Sequence, residues 1–258
     1  MTIQITIIKI EGYGGWTLTL GNDREAQLQI LQSKIYGDLQ KLFSEQNCLV
    51  FFNRFDEYFV ASNGLSVKDH IEIIREMSKK YPNLVLSISI GTGNTPLDAN
   101  HNAYKARKSK NLLDSHYLIY GNQLDCLKTN TRSVWNNYFK ILHIDINNSS
   151  ETESKLSPYE ITLHVVKIYF SLIDKFLKKD SLTFFLGGDN FMVITHDLKE
   201  SEISNILDII YKESRVKLNC GIGSGRTSRE AAKNATQSLD NIRKLRNEGK
   251  IFHVYEAI

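Results

Sequence analysis

Cysteine is scarce in this chain, and no two cysteines stand close enough to suggest a metal site. Cys48, Cys126 and Cys220 are isolated, and no Cys-x-x-Cys pair occurs. An odd number of scattered thiols does not fit a disulfide framework, and the spacing required for zinc is missing. We therefore expect free, buried thiols in a reducing compartment.

Long hydrophobic runs are also lacking. No apolar stretch approaches the ~18 residues that a membrane-spanning helix needs, and the chain enters a strand pattern directly after Met1. The sequence therefore predicts a soluble, cytoplasmic protein with no membrane partner.

Neither sign of charge dominates any part of the chain. The 258 residues include 32 Lys and Arg and 29 Asp and Glu, so the net charge is only +3. Basic and acidic side chains are interspersed, and there is no basic stripe of the kind that nucleic-acid binding requires. This balance predicts no nucleic-acid partner but is compatible with a small anionic ligand.

The chain contains an internal repeat. Residues 49–60 read LVFFNRFDEYFV and residues 182–193 read LTFFLGGDNFMV, so that Asp56 corresponds to Asp189 at an offset of 189 − 56 = 133. Matching blocks in one register indicate a duplicated unit. We predict two domains, 1–131 and 132–258.

The repeat also places an acidic residue at the end of the first strand of each half. Glu11 corresponds to Asp145 at an offset of 145 − 11 = 134. Each unit therefore brings an acidic strand end and an acidic hairpin tip together. Paired carboxylates at strand ends are a common way to hold Mg²⁺ against phosphates.

Hydrophobic periodicity predicts the same element order in both halves. The expected elements are a strand, a long helix, a hairpin, a second helix, a strand and a third helix. In the first half they are expected at 3–10, 23–45, 49–61, from 67, 84–90 and from 95. In the second half they are expected at 141–146, from 158, 182–194, 202–211, 216–222 and from 227. Tyr13-Gly14-Gly15 is predicted as a turn, and residues 116–120 could add an edge strand. The order βαββαβ predicts an α+β fold of two tandem ferredoxin-like units, each an antiparallel sheet with helices on one face.

Two segments of the second half carry the strongest chemical signal. Asp145 is followed by a polar stretch that includes Asn147 and Asn148, whose backbone N–H groups could face phosphate oxygens, although a solvated turn would look the same. The tip Gly187-Gly188-Asp189-Asn190 needs glycine for a tight turn, but a turn alone does not explain an acid at the same place in both halves.

Other candidates are weaker. His143 precedes Asp145 by two residues and shares its face, where it could carry a proton or simply be a satisfied histidine in the sheet. The segment 221–226 is interpreted mainly as a strand-to-helix turn, because its glycine spacing is not that of a nucleotide fingerprint.

Four further residues are candidates for ligand contacts. Tyr13 and Trp16 could stack a purine or anchor a loop, and Arg54 and Arg226 are cations that the repeat places near the expected phosphates.

With these segments in place, the chain resembles the palm of polymerases and nucleotide cyclases, including the GGDEF-type diguanylate cyclases. It is most similar to the archaeal GTP cyclohydrolase III family, and the resemblance runs over the whole chain. The residues that carry it are Tyr13-Gly14-x-Trp16-Thr17, His143-Ile144-Asp145-Ile146-Asn147-Asn148, Phe184 to Met192 around Gly187-Gly188-Asp189-Asn190, and Gly221 to Thr227.

The resemblance implies a hydrolase that opens the imidazole ring of GTP at C8, releases two phosphates and leaves a formamidopyrimidine ribonucleotide for flavin or deazaflavin synthesis. It implies a homo-oligomer and Mg²⁺ as the cofactor, with several ions and a monovalent cation as open alternatives. The implied catalytic residues are Asp145, Asp189 and His143. The implied metal ligands are Asp145, Asp189, Glu11 and Asp56, and the implied nucleotide-binding residues are Asn147, Asn148, Gly187, Gly188, Asn190, Arg54, Tyr13, Trp16 and Arg226.

Two positions depart from the family pattern. Glu11 stands where the family usually has Asp, and Arg54-Phe55 replaces the glycine pair in the first hairpin. Two alternative functions stay open on the same palm-like fold: a nucleotidyl or diguanylate cyclase that releases pyrophosphate, and a non-catalytic GTP-binding module.

Overall fold

The protein is described from a computed structural model that covers residues 2–122, 139–147, 156–248 and 253–256. It is a mixed α+β protein with two compact units. The predicted boundary near residue 131 lies outside the described residues. The elements of the N-terminal unit are β1 Ile3–Ile10, α1 Tyr13–Leu18, α2 Arg24–Glu45, β2 Leu49–Arg54, β3 Glu57–Ala61, α3 Val67–Lys80, β4 Leu86–Gly93, α4 Pro96–Lys108, β5 Leu112–Asp114 and β6 Ile119–Tyr120.

The C-terminal unit follows the same order. Its described elements are β7 Phe139–Ile146, α5 Pro158–Leu177, β8 Leu182–Gly187, β9 Asn190–Thr195, α6 Glu200–Ser214, β10 Leu218–Gly225, α7 Ser228–Asn247 and β11 Val254–Glu256. Helix α5 begins with a complete capping box between Ser157 and Glu160 and has Pro158 in its first turn, as the sequence predicts.

Each unit contains one sheet with the first strand at its centre. The N-terminal sheet has the order β2-β3-β1-β4-β6-β5, and the C-terminal sheet has the order β11-β10-β7-β9-β8. Strands β3 and β4 flank β1 in antiparallel pairing, as β9 and β10 flank β7. The strand end after β1 or β7 therefore lies beside the hairpin tip of the same unit.

One face of each sheet is covered by two amphipathic helices. In the C-terminal unit the alternate residues Leu142 and Ile144 of β7 pack with buried side chains of α5 and α6. The equivalent core of the N-terminal unit joins Ile8 and Ile10 of β1 to α2 and α3. Alternation along a strand leaves the odd-numbered residues of β1 and β7 on the other face.

That other face is covered by the third long helix of each unit, so the prediction of helices on one face is wrong. A Cβ atom placed on Gly221 would lie 2.1 Å from the carbonyl oxygen of Ala235 in α7, and one on Gly223 would lie 2.1 Å from the Ala235 nitrogen. Gly91 approaches Ala99 and Ala103 of α4 in the same way. The glycines let the backbones of helix and strand nearly touch.

Two local predictions need correction. Tyr13-Gly14-Gly15 opens the short helix α1 instead of a turn, because Gly12, at φ 62°, makes the reversal one residue earlier. The glycine segment 221–226 is mostly strand, since β10 continues to Gly225.

The sheet edges also differ from prediction. The expected edge strand at 116–120 is only two residues long, Ile119–Tyr120, and is joined by β5. Strand β11, which pairs in parallel with β10, was not predicted.

We predict that Gly223→Ala destabilises the protein. The added methyl group would meet backbone atoms of Ala231 and Ala235, which cannot rotate away. Overpacking of this kind costs roughly 1–3 kcal/mol of unfolding free energy, measured by urea denaturation. Gly37→Ala in α2 is the control, since nothing lies within 4 Å of its Cβ position, and it should stabilise by about 0.5–1 kcal/mol. Equal stability of Gly223→Ala and the parent would contradict the close approach.

Candidate active site in the C-terminal unit

Asp145, near the end of β7, is buried, and each of its carboxylate oxygens accepts a hydrogen bond. Only 4% of the residue is exposed. Asn219 of β10 donates from Nδ2 to Oδ1 at 2.8 Å, and Arg243 of α7 donates from Nη2 to Oδ2 at 2.7 Å. The carboxylate raises the pKa of the Arg243 guanidinium. Asp145 is therefore a neutralised anion on the α7 face of the sheet.

The N-terminal unit contains a similar arrangement. Glu11 accepts a bond from Arg107 of α4 at 2.6 Å and another from the Ser87 hydroxyl of β4. In both units, then, the acidic residue at the first strand end is tied to the neighbouring strand and to the third helix.

His143 lies two residues before Asp145 on the same face and links α7 to the hairpin. Its Nδ1 lies 3.0 Å from the hydroxyl of Thr236, and its Nε2 lies 3.2 Å from Oδ1 of Asn190. Burial lowers the pKa of His143, against smaller opposing effects of Asn190 and Asp145. The ring is therefore mainly neutral at neutral pH.

Asp189 occupies the tip of the hairpin between β8 and β9. Gly187 and Gly188 have φ of 110° and 61°, which only glycine adopts at little cost. Nδ2 of Asn190 donates to Oδ1 of Asp189 at 2.8 Å. Asn190 therefore lies in a chain of hydrogen bonds that runs from His143 to Asp189.

Asp189 also borders a cavity of about 380 Å³. The walls come from the β7 end, helix α5, the hairpin and a residue two positions before β10. They are mostly apolar: Ile146, Ile161, Thr162, His164, Val165, Val166, Ile168, Phe185, Gly188, Asp189 and Val216. The volume falls in the ~300–1,000 Å³ range of small-molecule sites. The arrangement is a mostly apolar pocket with the carboxylate of Asp189 among the described residues that line it.

Asp56, the counterpart of Asp189 in the first repeat, has different surroundings. Its carboxylate lies 3.8 Å from Nε of Arg54 and 4.0 Å from Nζ of Lys9. Arg54 also pairs with Glu57 at 3.2 Å. The first hairpin tip is thus occupied by its own ion pairs.

Tyr13 and Trp16 both lie in α1 and pack against the N-terminal core. Their ring centroids are 6.1 Å apart, and Gln32 donates to the Tyr13 hydroxyl at 2.6 Å. Burial, followed by the charge of Asp56, raises the pKa of Tyr13. The structure shows an anchoring role for both rings within the unit.

Asn147 and Arg226 lie at the ends of β7 and β10. The backbone N–H of Asn147 donates to Lys217, while its side-chain oxygen is buried without a partner among the described residues. The backbone N–H of Arg226 donates to Glu230 of α7, and the Arg226 side chain is exposed. Asn148 lies outside the described residues.

The described residues contain no group of three or more His, Cys, Asp or Glu able to hold a metal ion on their own. Mg²⁺ bound to nucleotides commonly uses only one or two carboxylates together with phosphate oxygens. Asp189 at the cavity edge fits that role, and the orphaned amide oxygen of Asn147 is a further oxygen donor. Asp145 could join only if Arg243 released Oδ2.

Sequence reasoning missed the partners of the site residues. Arg243, Asn219 and Thr236 are far from their partners along the chain, and each looks like an ordinary polar surface residue. The repeat held a partial signal, because Arg107 occupies α4 as Arg243 occupies α7. Arg243 lies one turn further along its helix, since 243 − 107 = 136 whereas the helix starts differ by 228 − 96 = 132.

Fold and site together define a two-unit α+β protein whose second unit presents a carboxylate beside an apolar pocket. The model of the GTP cyclohydrolase III family matches residues 3–256. The chain belongs to that family.

Its relatives match nearly end to end. GTP cyclohydrolase III of Methanothermobacter thermautotrophicus is 37% identical over 242 residues, which are 93% of this chain and 94% of the relative. That of Methanocaldococcus jannaschii is 35% identical over 93% and 88% of the two chains.

Solved structures are more distant. A bacterial light-regulated adenylyl cyclase is 14% identical, with a TM-score of 0.38 over 98% of this chain and 85% of its own. The GGEEF domain of a Vibrio cholerae diguanylate cyclase has a TM-score of 0.36 at 14% identity, over 47% of this chain and 85% of its own. Such low scores assign no activity.

We predict that Arg243→Met costs more stability than Arg107→Met. The Asp145 side chain is 6% exposed and would keep a buried charge without its cation, whereas Glu11, at 29%, can be hydrated. Because the Arg243 side chain is itself half exposed, we expect the free energy of unfolding to fall by only roughly 1–2 kcal/mol for Arg243→Met. For Arg107→Met we expect a loss of less than about 1 kcal/mol. Urea denaturation of both variants at neutral pH tests the order, and the reverse order would contradict it.

Proposed function

We propose that this chain hydrolyses GTP, opening the imidazole ring at C8 and releasing two phosphates. One water opens the ring, and because no second water attacks C8, the formyl carbon stays on the product. One further water is consumed for each phosphate released. The observation that supports this most directly is Asp189 at the edge of a purine-sized apolar pocket, in a chain that belongs to the GTP cyclohydrolase III family.

The pocket suits a purine ring. Phe185 and the aliphatic side chains of α5 provide apolar walls, and such walls bind an aromatic ring by excluding water. Asp189 at the edge leaves the polar part of the nucleotide facing the hairpin tip. Gly187 and Gly188 have no side chains that would block its approach.

His143 and Asn190 orient Asp189. Nδ2 of Asn190 donates to Asp189, so Oδ1 of Asn190 faces His143 and can only accept. Nε2 of the neutral His143 therefore carries the proton, and Nδ1 faces the Thr236 hydroxyl at 3.0 Å, which donates to the carbonyl of Ala232. This places a protonated ring nitrogen one amide away from the carboxylate, which suits His143 to hold or supply a proton near the substrate.

Mg²⁺ is the proposed cofactor. When bound, it would neutralise the triphosphate and lower the pKa of a bound water. Asp189 is the proposed protein ligand, with Asn147 as an oxygen donor and Asp145 as a second carboxylate once Arg243 moves. Glu11 and Asp56 are weaker candidates, because each already faces cationic side chains. The number of ions and a monovalent cation stay open.

We also propose that the two units are tandem palm-like, ferredoxin-like domains meeting near residue 131. The strand order shared by the two sheets supports this proposal. The third helix of each unit is an addition to the ferredoxin-like pattern and covers the other face of the sheet. No helix of the described part of the chain is long and apolar enough to span a membrane. The cytoplasmic location and the homo-oligomer remain predictions.

We predict that the purified protein converts GTP to orthophosphate and a ring-opened formamidopyrimidine nucleotide, and that excess EDTA stops the reaction until Mg²⁺ is restored. Mass spectrometry of the products separates the alternatives. A cyclase would release pyrophosphate and retain the purine, and a non-catalytic module would leave GTP intact. Undiminished turnover in EDTA would contradict the metal requirement.

We predict unequal effects of the two repeat-related substitutions. Asp189→Asn should lower kcat by a thousandfold or more, which corresponds to about 4 kcal/mol, because Asp189 is the only carboxylate among the described residues that line the pocket. Asp56→Asn should lower kcat by about tenfold or less, since Asp56 faces Arg54 and Lys9. Circular dichroism must show both variants folded. The assignment fails if Asp56→Asn is inactive while Asp189→Asn turns over normally.

A further inference from the structure

Helix α5 presents large apolar side chains to solvent. Tyr159 is 85% exposed and Phe170 72%, and neither is covered by any described residue. They belong to a set spaced alternately by four and three residues along the helix, which we call the outer seam: Tyr159, Leu163, Val166, Phe170, Ile173 and Leu177. An alternating four-three spacing is that of the apolar positions through which two helices pack side by side.

The fold of the C-terminal unit does not need this seam. Helix α5 packs on its own sheet through a different stripe, which includes Val165, Ile168, Leu172 and Phe176. At 3.6 residues per turn, the outer seam lies on the side of the helix away from that stripe. Large exposed apolar side chains in one continuous strip indicate an interaction surface.

The first repeat provides an internal comparison. Helices α2 and α5 align at an offset of 133 through their buried stripes, as for Phe43 and Phe176. At that offset the seam residues from Leu163 to Leu177 correspond to Ile30, Ser33, Gly37, Gln40 and Ser44. Four of these five residues are polar or glycine. The scaffold therefore tolerates a polar outer face, and the apolar one in α5 has another cause.

The seam is self-complementary in antiparallel orientation. If two α5 helices cross at Phe170, Leu163 of one copy lies opposite Leu177 of the other, because each is seven residues from the crossing point. Lys167 then lies near Asp174 of the second copy, and the two-fold axis creates this contact twice. In parallel orientation Lys167 would lie near Thr162 of the second copy instead, without an opposite charge.

Both charged groups are available for such a contact. Lys167 is exposed and has no ion pair with any described residue. The Asp174 carboxylate contacts Lys178 at 2.9 Å and Lys175 at 3.6 Å, and both contacts are to Oδ2. Within the described part of the chain Oδ1 accepts no hydrogen bond, so it can receive the ammonium group of a second copy.

We propose that the outer seam of α5 binds the α5 helix of a second copy of this chain in antiparallel orientation. We choose a second copy as the partner because the charged and apolar residues of the seam match those of an identical helix that runs in the opposite direction. Val166 is shared with the cavity, but Phe170, Lys167 and Asp174, which the tests change, do not line it. Changes at these three residues therefore need not abolish the chemistry of the site.

The first test compares Phe170→Glu with Gly37→Glu by light scattering at micromolar concentration. Phe170→Glu places two carboxylates at the crossing point, and we expect the molar mass of the assembly to fall by half. Gly37→Glu makes the same change at the equivalent position of α2, which is exposed and open, and should leave the mass unchanged. A monomeric parent protein, or equal masses for all three proteins, would overturn the proposal.

The second test reverses the charges and does not depend on the Phe170 variant folding. Lys167→Glu and Asp174→Lys should each raise the dissociation constant at least tenfold, because like charges would face each other across the axis. The double variant Lys167→Glu/Asp174→Lys should return the dissociation constant to within about threefold of the parent value. Additive weakening in the double variant would overturn the antiparallel self-pairing and favour a different protein, or parallel helices, on the seam.

Discussion

The close approach of the third helix to the sheet is the constraint on which the candidate site depends. Gly221 and Gly223 allow the backbone of α7 to lie against β10, and no other residue would fit there without moving the helix. This contact brings Arg243 to Asp145 and Thr236 to His143. The glycines therefore act on the site indirectly, by fixing the helix that holds its two central side chains.

The site uses both faces of one sheet. Asp145 and His143 lie on the α7 face, whereas the cavity is bounded by α5 on the opposite side. Asn190 joins the two, because its amide contacts His143 and Asp189 at once. Asn190 can do this because it is the first residue of β9, directly after the turn that holds Asp189. The position of the Asp189 carboxylate is thus linked to packing on the far face.

Much of the fold could be predicted from the sequence, because the signals that define it are local. The apolar stripes of α2 and α5 and the capping box at Ser157 are encoded within a few residues. The repeat then gave the order of elements twice. The third-helix face was predicted wrongly because glycine inside a strand resembles a turn unless the helix that packs on it is known.

The site was only partly predictable for a related reason. The position of Asp189 at a hairpin tip follows from its glycines, but the cavity beside it is assembled from segments separated by tens of residues. The Arg243 contact with Asp145 spans 98 residues of sequence. No local pattern encodes such a pair. The repeat could have suggested it only with Arg107 as a guide, and the one-turn shift of Arg243 obscures that match.

The two repeats show how a duplicated scaffold can divide its roles. Both keep the acidic strand end tied to an arginine of the third helix, which indicates that this ion pair serves the scaffold first. The hairpin tips then diverge: Asp56 is paired with Arg54, while Asp189 accepts a hydrogen bond from the Asn190 amide and borders the cavity. The outer faces of α2 and α5 diverge as well, polar in one and apolar in the other. A single unit would have to fit both the cavity and the apolar surface without loss of stability. In this chain the first unit keeps the scaffold, and the second has both the cavity and the apolar surface.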